Sequence, residues 1–345
     1  MLKNTPISYP ILLITSTVKR SFEGLSMLAQ ASGDTVKRML RSTAESLNLS
    51  HKIAQYLFKN SKVLTLAIDD TLIQKIHSKF MVGSGRFYDT KIYRKITAYR
   101  IIAAMVTNGR YAIPISFGFL FEKELLSGNE RIPSKLEFVK KFILLTQKLF
   151  PDKKIRVAAD GLFASIEILE WLLANNIGAD LRMHSNRKVE FKGRFFKLNQ
   201  IECLKLRGRQ QARSIQVKWH NLSLNITAEK RIDKHEKETI VYIVSTYKAR
   251  PGQHVDAYKR RWPIEKLFRT TKQSLGLQEC FSTHLETQEK HIAAVFLAYS
   301  IAQLDMKNYR LSTPEIAIRA VKQHKCSFSI NRLLRLDQIF DGVYA

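Results

Sequence analysis

The chain has 345 residues, 45% of them hydrophobic, and carries 57 lysines and arginines against 30 acids, for a net charge of +27 and a pI near 10.0. That apolar content excludes a disordered tail and allows a sizeable core, in one large domain with appendages or in two domains. The charge calls for a polyanionic partner, with nucleic acid the first candidate and an anionic membrane surface the second.

No run approaches the roughly 18 apolar residues of a membrane span, and the ILLI tract at 11–14 is too short for a signal-peptide core. The expectation is a soluble, unexported, cytoplasmic protein with no membrane partner. Cys203, Cys280 and Cys326 are scattered, with no paired or zinc-like spacing, and read as reduced thiols.

Residues 1–60 show helical patterning and no strand pattern. Within them, residues 25–41 (LSMLAQASGDTVKRMLR) read as a helix, a turn at Ser32-Gly33 and a second helix capped by Asp34. Two readings stay open: a helix-turn-helix laying Thr35, Lys37, Arg38 and Arg41 toward DNA, or an ordinary hairpin with a solvated basic face. Residues 63–71 (VLTLAIDDT) read as a strand buried on both faces and ending in acid. Beyond a basic loop holding Gly83 and Gly85, segments 96–107 and 111–120 form a hairpin about Asn108-Gly109. A helix opens at Pro133-Ser134 and runs to Phe150, with Leu136, Phe138, Val139, Phe142, Ile143 and Leu144 inward.

Next comes a short strand, 155–160, ending in Asp160. A helix over 164–175 follows with Ile166, Ile168, Leu169 and Leu172 inward, and then a strand over 179–183. Segments 191–198, 214–226 and 239–246 read as strands of a β-rich insertion spanning 185–250. A strongly apolar helix over 291–306 and a basic, helical tail from 311 complete the chain. Strand, hairpin, helix, strand, helix, strand and a late helix is the order of the ribonuclease H-like fold. The prediction is therefore an α/β architecture with a mixed sheet and flanking helices. Its catalytic domain would comprise 61–184 and 251–310, with 1–60 as a helical DNA-binding region.

The densest chemistry lies at 258–272 (YKRRWPIEKLFRTTK), where Glu265 stands among cations beside an apolar stripe of Ile264, Leu267 and Phe268. Pro263 leaves two possibilities: a helix beginning near it, or an earlier helix kinked there. An unbroken helix would put Tyr258, Arg261, Glu265 and Lys272 on one side. The pattern Tyr258-x2-Arg261-x3-Glu265-x6-Lys272, with Trp262 and Ile264 inside it, resembles the Y-R-E-K signature of the IS4 family of bacterial insertion-sequence transposases.

The resemblance makes Glu265 the last of a D, D, E triad and implies an aspartate at each of two upstream strand ends. Asp160, in VAADGLFAS, resembles the family's second acidic block. For the first acid Asp69 is favoured and Asp70 stays open, since the run before them is apolar at both parities and face alternation does not choose. Tyr258, Arg261 and Lys272 are, by the same resemblance, phosphate contacts near the cut end; otherwise they are solvated or structural ion pairs. An isolated Asp after a strand is usually a turn or cap residue, so Asp69 and Asp160 gain weight only from Glu265 and the element order. Trp262 reads as core rather than base-stacking. So does Tyr242, although relatives hold a flipped base against an aromatic ring.

Three carboxylates packed within a few ångströms repel one another unless a cation neutralises them, and hard oxygen donors select Mg2+, or Mn2+, over zinc. Two such ions clamp the attacking and leaving oxygens of a phosphodiester displacement. The implied activity is that of a DDE transposase, homodimeric on double-stranded DNA. It would cut transposon ends by hydrolysis and join the 3′-OH to target DNA by transesterification. The alternatives are a nuclease of the same fold without strand transfer, and a catalytically inactive, transposase-derived DNA-binding protein. The Gly83-Ser-Gly85 loop makes no nucleotide site, and no nucleophile elbow or paired-histidine zinc motif occurs, so neither a small-molecule substrate nor covalent catalysis is indicated.

Overall fold

The computed structural model describes residues 5–75, 81–89, 92–121, 133–232 and 237–323. Cys326 and most of the basic tail lie outside these. Four helices open the chain: α1 (Ser8–Thr15), α2 (Phe22–Ala29), α3 (Gly33–Arg41) and α4 (Ser46–Phe58). The cap of α3 is Ser32, whose hydroxyl accepts from the Thr35 amide; Asp34 sits in the first turn, two positions too late to cap. Lys37, Arg38 and Arg41 are exposed on α3, while Val36, Met39 and Leu40 are buried.

Strand β1 (Val63–Gln74) does not end at its acids but runs through Asp69 and Asp70 for four more residues. The reason is the long antiparallel partner that follows β2 (Gly85–Asp89). This is β3 (Arg94–Thr107), which pairs β1 from Thr65↔Thr107 to Gln74↔Ala98. The parallel partner on the other side, β5 (Lys154–Ala159), stops earlier, at Ile68↔Ala159. Between them in sequence come β4 (Ala112–Phe119), paired with β3 across the Asn108-Gly109 turn, and α5 (Lys135–Leu149). The Asn108 side chain accepts from the amides of Arg110 and Tyr111, and Gly109 takes φ +95. Helix α5 starts with a Ser134/Glu137 capping box. Its inner side holds Phe138, Val139, Phe142 and Ile143, but Leu144 is 59% exposed, one position off the buried stripe.

After β5 come α6 (Ile166–Ala174), with Ile168, Leu169 and Leu172 buried, and β6 (Gly178–Met183), parallel to β5. Two of the three strands expected beyond it are hairpins. Segment 191–198 falls into β7 (Lys188–Phe191) and β8 (Arg194–Lys197) about Lys192-Gly193. Segment 214–226 falls into β9 (Ala212–Trp219) and β10 (Leu222–Ile232) about His220-Asn221. Both loops have two residues with positive φ, as the right-handed twist of a tight hairpin requires. His-Asn carries no glycine to announce that turn. Strand β11 (Glu238–Ser245) pairs β6 and β10, so one eleven-stranded sheet runs β2-β3-β1-β5-β6-β11-β10-β9-β7-β8, with β4 alongside β3.

Helices α7 (Pro251–Lys259) and α8 (Trp262–Ser274) are separate, with the break at Arg260-Arg261 and Pro263 in the first turn of α8, where its missing N–H costs nothing. They are followed by α9 (Leu285–Asn308) and α10 (Pro314–Lys322). Helices cover both faces of the sheet. Phe117 of β4 meets Phe296 of α9, while a Cβ on its neighbour Gly118 would fall 2.1 Å from the Phe138 ring of α5; successive strand residues point to opposite sides. Helix α9 is buried all round and shares one hydrophobic core with α1, α3, α4 and the sheet. Among the described residues no helix is long and apolar enough to cross a membrane.

Candidate functional site

The parallel register Ile68↔Ala159 brings Asp69 and Asp160 to the same level on neighbouring strands, each the first residue past the last β1–β5 pair. Asp160 leaves the sheet at once, capping a 3-10 turn over Gly161–Phe163 by accepting the Gly161 amide at 2.7 Å. Glycine suits the next position because a Cβ there would lie 3.1 Å from His184 Nε2. Arg182 stands 3.9 Å from Asp160.

Face alternation, silent in the sequence, separates the two adjacent aspartates. Asp69 and Thr71 face α8: Arg261 donates from Nη1 to Asp69 Oδ2 at 2.8 Å, and Lys272 Nζ donates to Thr71 Oγ1 at 2.7 Å. Asp70 is held by Arg100 of β3 and feels the charge of Lys135 on α5. Arg261 sits in the break between α7 and α8, and its second prong, Nη2, donates to Glu265 Oε1. One guanidinium thus joins the first and last of the candidate acids, and Asp160 lies close enough to act electrostatically on Asp69, Tyr258 and Arg261. Asp69 and Glu265, but not Asp160, line a cleft of about 480 Å³ whose walls also include Asp70, Thr71, Trp262 and Lys272. Larger hollows between α3 and residues 279–290 share no residue with it.

Burial pushes the Asp69 carboxyl up to about 6; Arg261 and the Asp70 amide pull it down, while the Asp70 and Asp160 carboxylates push it further. Its ion pair therefore offsets only part of the cost of burial. Burial also works against the Arg261 charge, but Tyr258, Asp69, Glu265 and Asp160 together hold it above its ordinary value. The Tyr258 phenol is raised by burial, and its ring lies under the Arg261 guanidinium, 5.7 Å away. Tyr258 and Arg261 are only 4% and 8% exposed. Trp262, expected in the core, is 54% exposed at the mouth of the cleft, since the helix break at Arg260-Arg261 turns the first residue of α8 outward. Tyr242 is buried in the core.

The donor set suits a hard divalent cation in kind, being carboxylate oxygen throughout. In arrangement, Asp69 and Glu265 meet on Arg261 rather than on each other, while Asp160 stands beside Arg182. Among the described residues no three His, Cys, Asp or Glu side chains stand close enough to form a ready-made metal cage.

Sequence reasoning missed a buried cluster behind the site. Asp180 of β6, fully buried, accepts from Ser245 Oγ at 2.7 Å and Tyr247 Oη at 2.6 Å and pairs with His254 Nδ1 at 2.8 Å. It anchors α7, and hence Tyr258 and Arg261, to the sheet. Asp180 in the apolar run 177–181 was its one trace in the sequence.

Residues 132–301 match the model of the transposase DDE domain. That match supports a DDE transposase, an enzyme that processes nucleic acid, and it contains Asp160, Tyr258, Arg261, Glu265 and Lys272 but stops short of Asp69. No curated protein matches the chain. Among solved structures, the NurA nuclease from Sulfolobus solfataricus is 11% identical with a TM-score of 0.31, over 79% of this chain and 95% of that one, a likeness too slight to bear on fold or function.

Proposed function

We propose that the chain is a DDE transposase of the IS4 type, built on a ribonuclease H-like core, that cuts double-stranded DNA at transposon ends and joins the freed 3′-OH to target DNA. The observation that carries this reading is the meeting of Asp69 and Glu265 on Arg261, with Asp160 level with Asp69 on the neighbouring parallel strand and its charge acting on both Asp69 and Arg261. The strand order β4-β3-β1-β5-β6, antiparallel on one side of β1 and parallel on the other, supports the ribonuclease H-like core.

Asp69, Asp160 and Glu265 are the residues that would hold Mg2+, or Mn2+, which when bound supplies Lewis-acid activation of water and neutralises charge on the displaced oxygen. The chain's own groups do the rest. Arg261 fixes Asp69 and Glu265 relative to each other while Tyr258 supports its plane from below. With both prongs engaged and little exposure, Arg261 acts through the carboxylates. Lys272, half-buried beside Thr71 in the cleft wall, is the better-placed phosphate contact.

Glu265→Gln keeps the size of the side chain and removes its charge. The expected outcome is loss of Mg2+-dependent cutting of end-containing DNA with binding of those ends retained. Cleavage at the wild-type rate would defeat the assignment, and cleavage by the wild type with no joined product would leave a nuclease.

A further inference from the structure

Residues 182–218 hold eleven lysines and arginines against two acids, Glu190 and Glu202, whereas the whole chain has 57 cations in 345 residues. All eleven cations are exposed, and the segment builds β7, β8 and most of β9, the far end of the sheet. The register sorts part of this charge onto one face. Lys188 pairs directly with Lys197, and Glu190 pairs with both Phe195 and Lys218. Directly opposed residues share a face, so Lys188, Lys197, Lys218 and Phe195 project together. Like charges placed opposite one another weaken a sheet, and a phenylalanine 75% exposed gains nothing from burial. Neither feature serves the fold. Glu202 is already occupied by Lys205 and Arg207, leaving Glu190 as the one acid on the face.

We infer that the outward face of β7, β8 and β9 is a second DNA-contact surface, which grips the backbone of the duplex running away from the carboxylate cleft. The inference rests on reading that cleft as a site that acts on DNA. Charge complementarity selects the partner, because a duplex presents a continuous row of phosphates and Lys188, Lys197 and Lys218 form a row of cations. Sheet geometry sets the reach. From β1 and β5 to β9 and β7 is four to six strand steps, roughly 20–30 Å at about 4.8 Å each, or roughly six to nine base pairs of duplex. The aromatic ring of Phe195 lies among the lysines, where a groove edge or sugar would meet it. Gln216, two residues before Lys218 on the same face, already donates its amide to Ser223, so the lysines carry the contact, which is positional and independent of sequence.

The test uses the full chain in the presence of chelator, so that binding is measured apart from cutting. With a random-sequence duplex of about thirty base pairs, the triple variant Lys188→Gln, Lys197→Gln, Lys218→Gln should flatten the slope of log affinity against log salt by about three and weaken binding at least tenfold at low salt. Replacing the same three by arginine should restore both. An unchanged slope would overturn the inference, and so would a loss seen only with single-stranded DNA. Should the triple variant fail to fold, p-benzoylphenylalanine in place of Phe195 in the otherwise native chain decides the matter. A photo-crosslink to duplex is expected, mapping roughly six to nine base pairs from the cut end, and no crosslink overturns it. If the wild type never cuts DNA yet the triple variant loses duplex affinity, the surface stands and the reading of the cleft falls. If the wild type cuts and the variant binds as before, the surface falls alone.

Discussion

Arg261 serves two acids from a single planar group, so its charge and its geometry can be separated by substitution. Arg261→Lys keeps one positive charge but cannot reach Asp69 and Glu265 at once, as the fork does. Carboxylates displaced by an ångström cost an enzyme about a hundredfold in rate, so cutting should fall by about that factor or more while duplex affinity and its salt slope hold. Lys272→Ala should do the opposite, flattening the slope by about one unit while the fold is untouched. Rates and salt titrations on the two variants check the pair; a flattened slope for Arg261→Lys would return Arg261 to a direct phosphate role. The sequence could place both residues within a motif but not assign their partners, because the choice between Asp69 and Asp70 depends on which face of β1 meets α8. The run at 63–68 is apolar on both faces and hides that information.

At the level of the element, legibility tracks how local the determining force is. The Asn108-Gly109 hairpin and the helix start at Ser134 are settled within a few residues, and both were readable. The His220-Asn221 turn, the continuation of β1 past its acids and the exposure of Trp262 depend on twist, a long partner strand and a helix break, none of which leaves a short motif. Helix α9 was readable as apolar but not as a hub. Its His291 is fully buried, with Nδ1 against the Tyr9 hydroxyl of α1 at 2.9 Å and Nε2 against the Gly276 carbonyl at 2.9 Å. Burial, helped by the charges of Lys75 and Arg20, lowers its pKa from 6.5 to about 3. Between those values the unfolded chain holds a proton that the folded one refuses, so stability is full above about 6.5 and falls as pH drops. The expected loss is about 1.4 kcal/mol per pH unit below 6.5 from this group. His291→Gln, which can still bond Tyr9 and Gly276, should lack that part of the slope when urea denaturation is compared between pH 7.5 and 5. Equal slopes for the two proteins would show that His291 already titrates normally in the fold.

For the whole molecule, the question is whether the first 60 residues form a detachable DNA-binding region, as their helical patterning and basic α3 first imply. Their apolar side chains do not form a core of their own. Leu12, Leu13, Val36, Leu40, Ile53 and Phe58 are buried in the same cluster as Phe296, Leu297 and Ile301 of α9. His51 reaches across to the Ile115 carbonyl of β4, and Arg20 is locked to Glu279 and to the Ser274 carbonyl at the end of α8. At about 1.5–3 kcal/mol for each large side chain, the burial lost by removing residues 1–60 exceeds the 5–15 kcal/mol by which a domain is usually stable. A chain beginning at residue 61 should therefore be insoluble or lack native near-ultraviolet dichroism, and the full chain should melt in one calorimetric transition. If the truncated chain instead folded and still cut DNA, the N-terminal helices would be an appendage, and the orientation of α8 over Asp69 would have to come from the sheet alone.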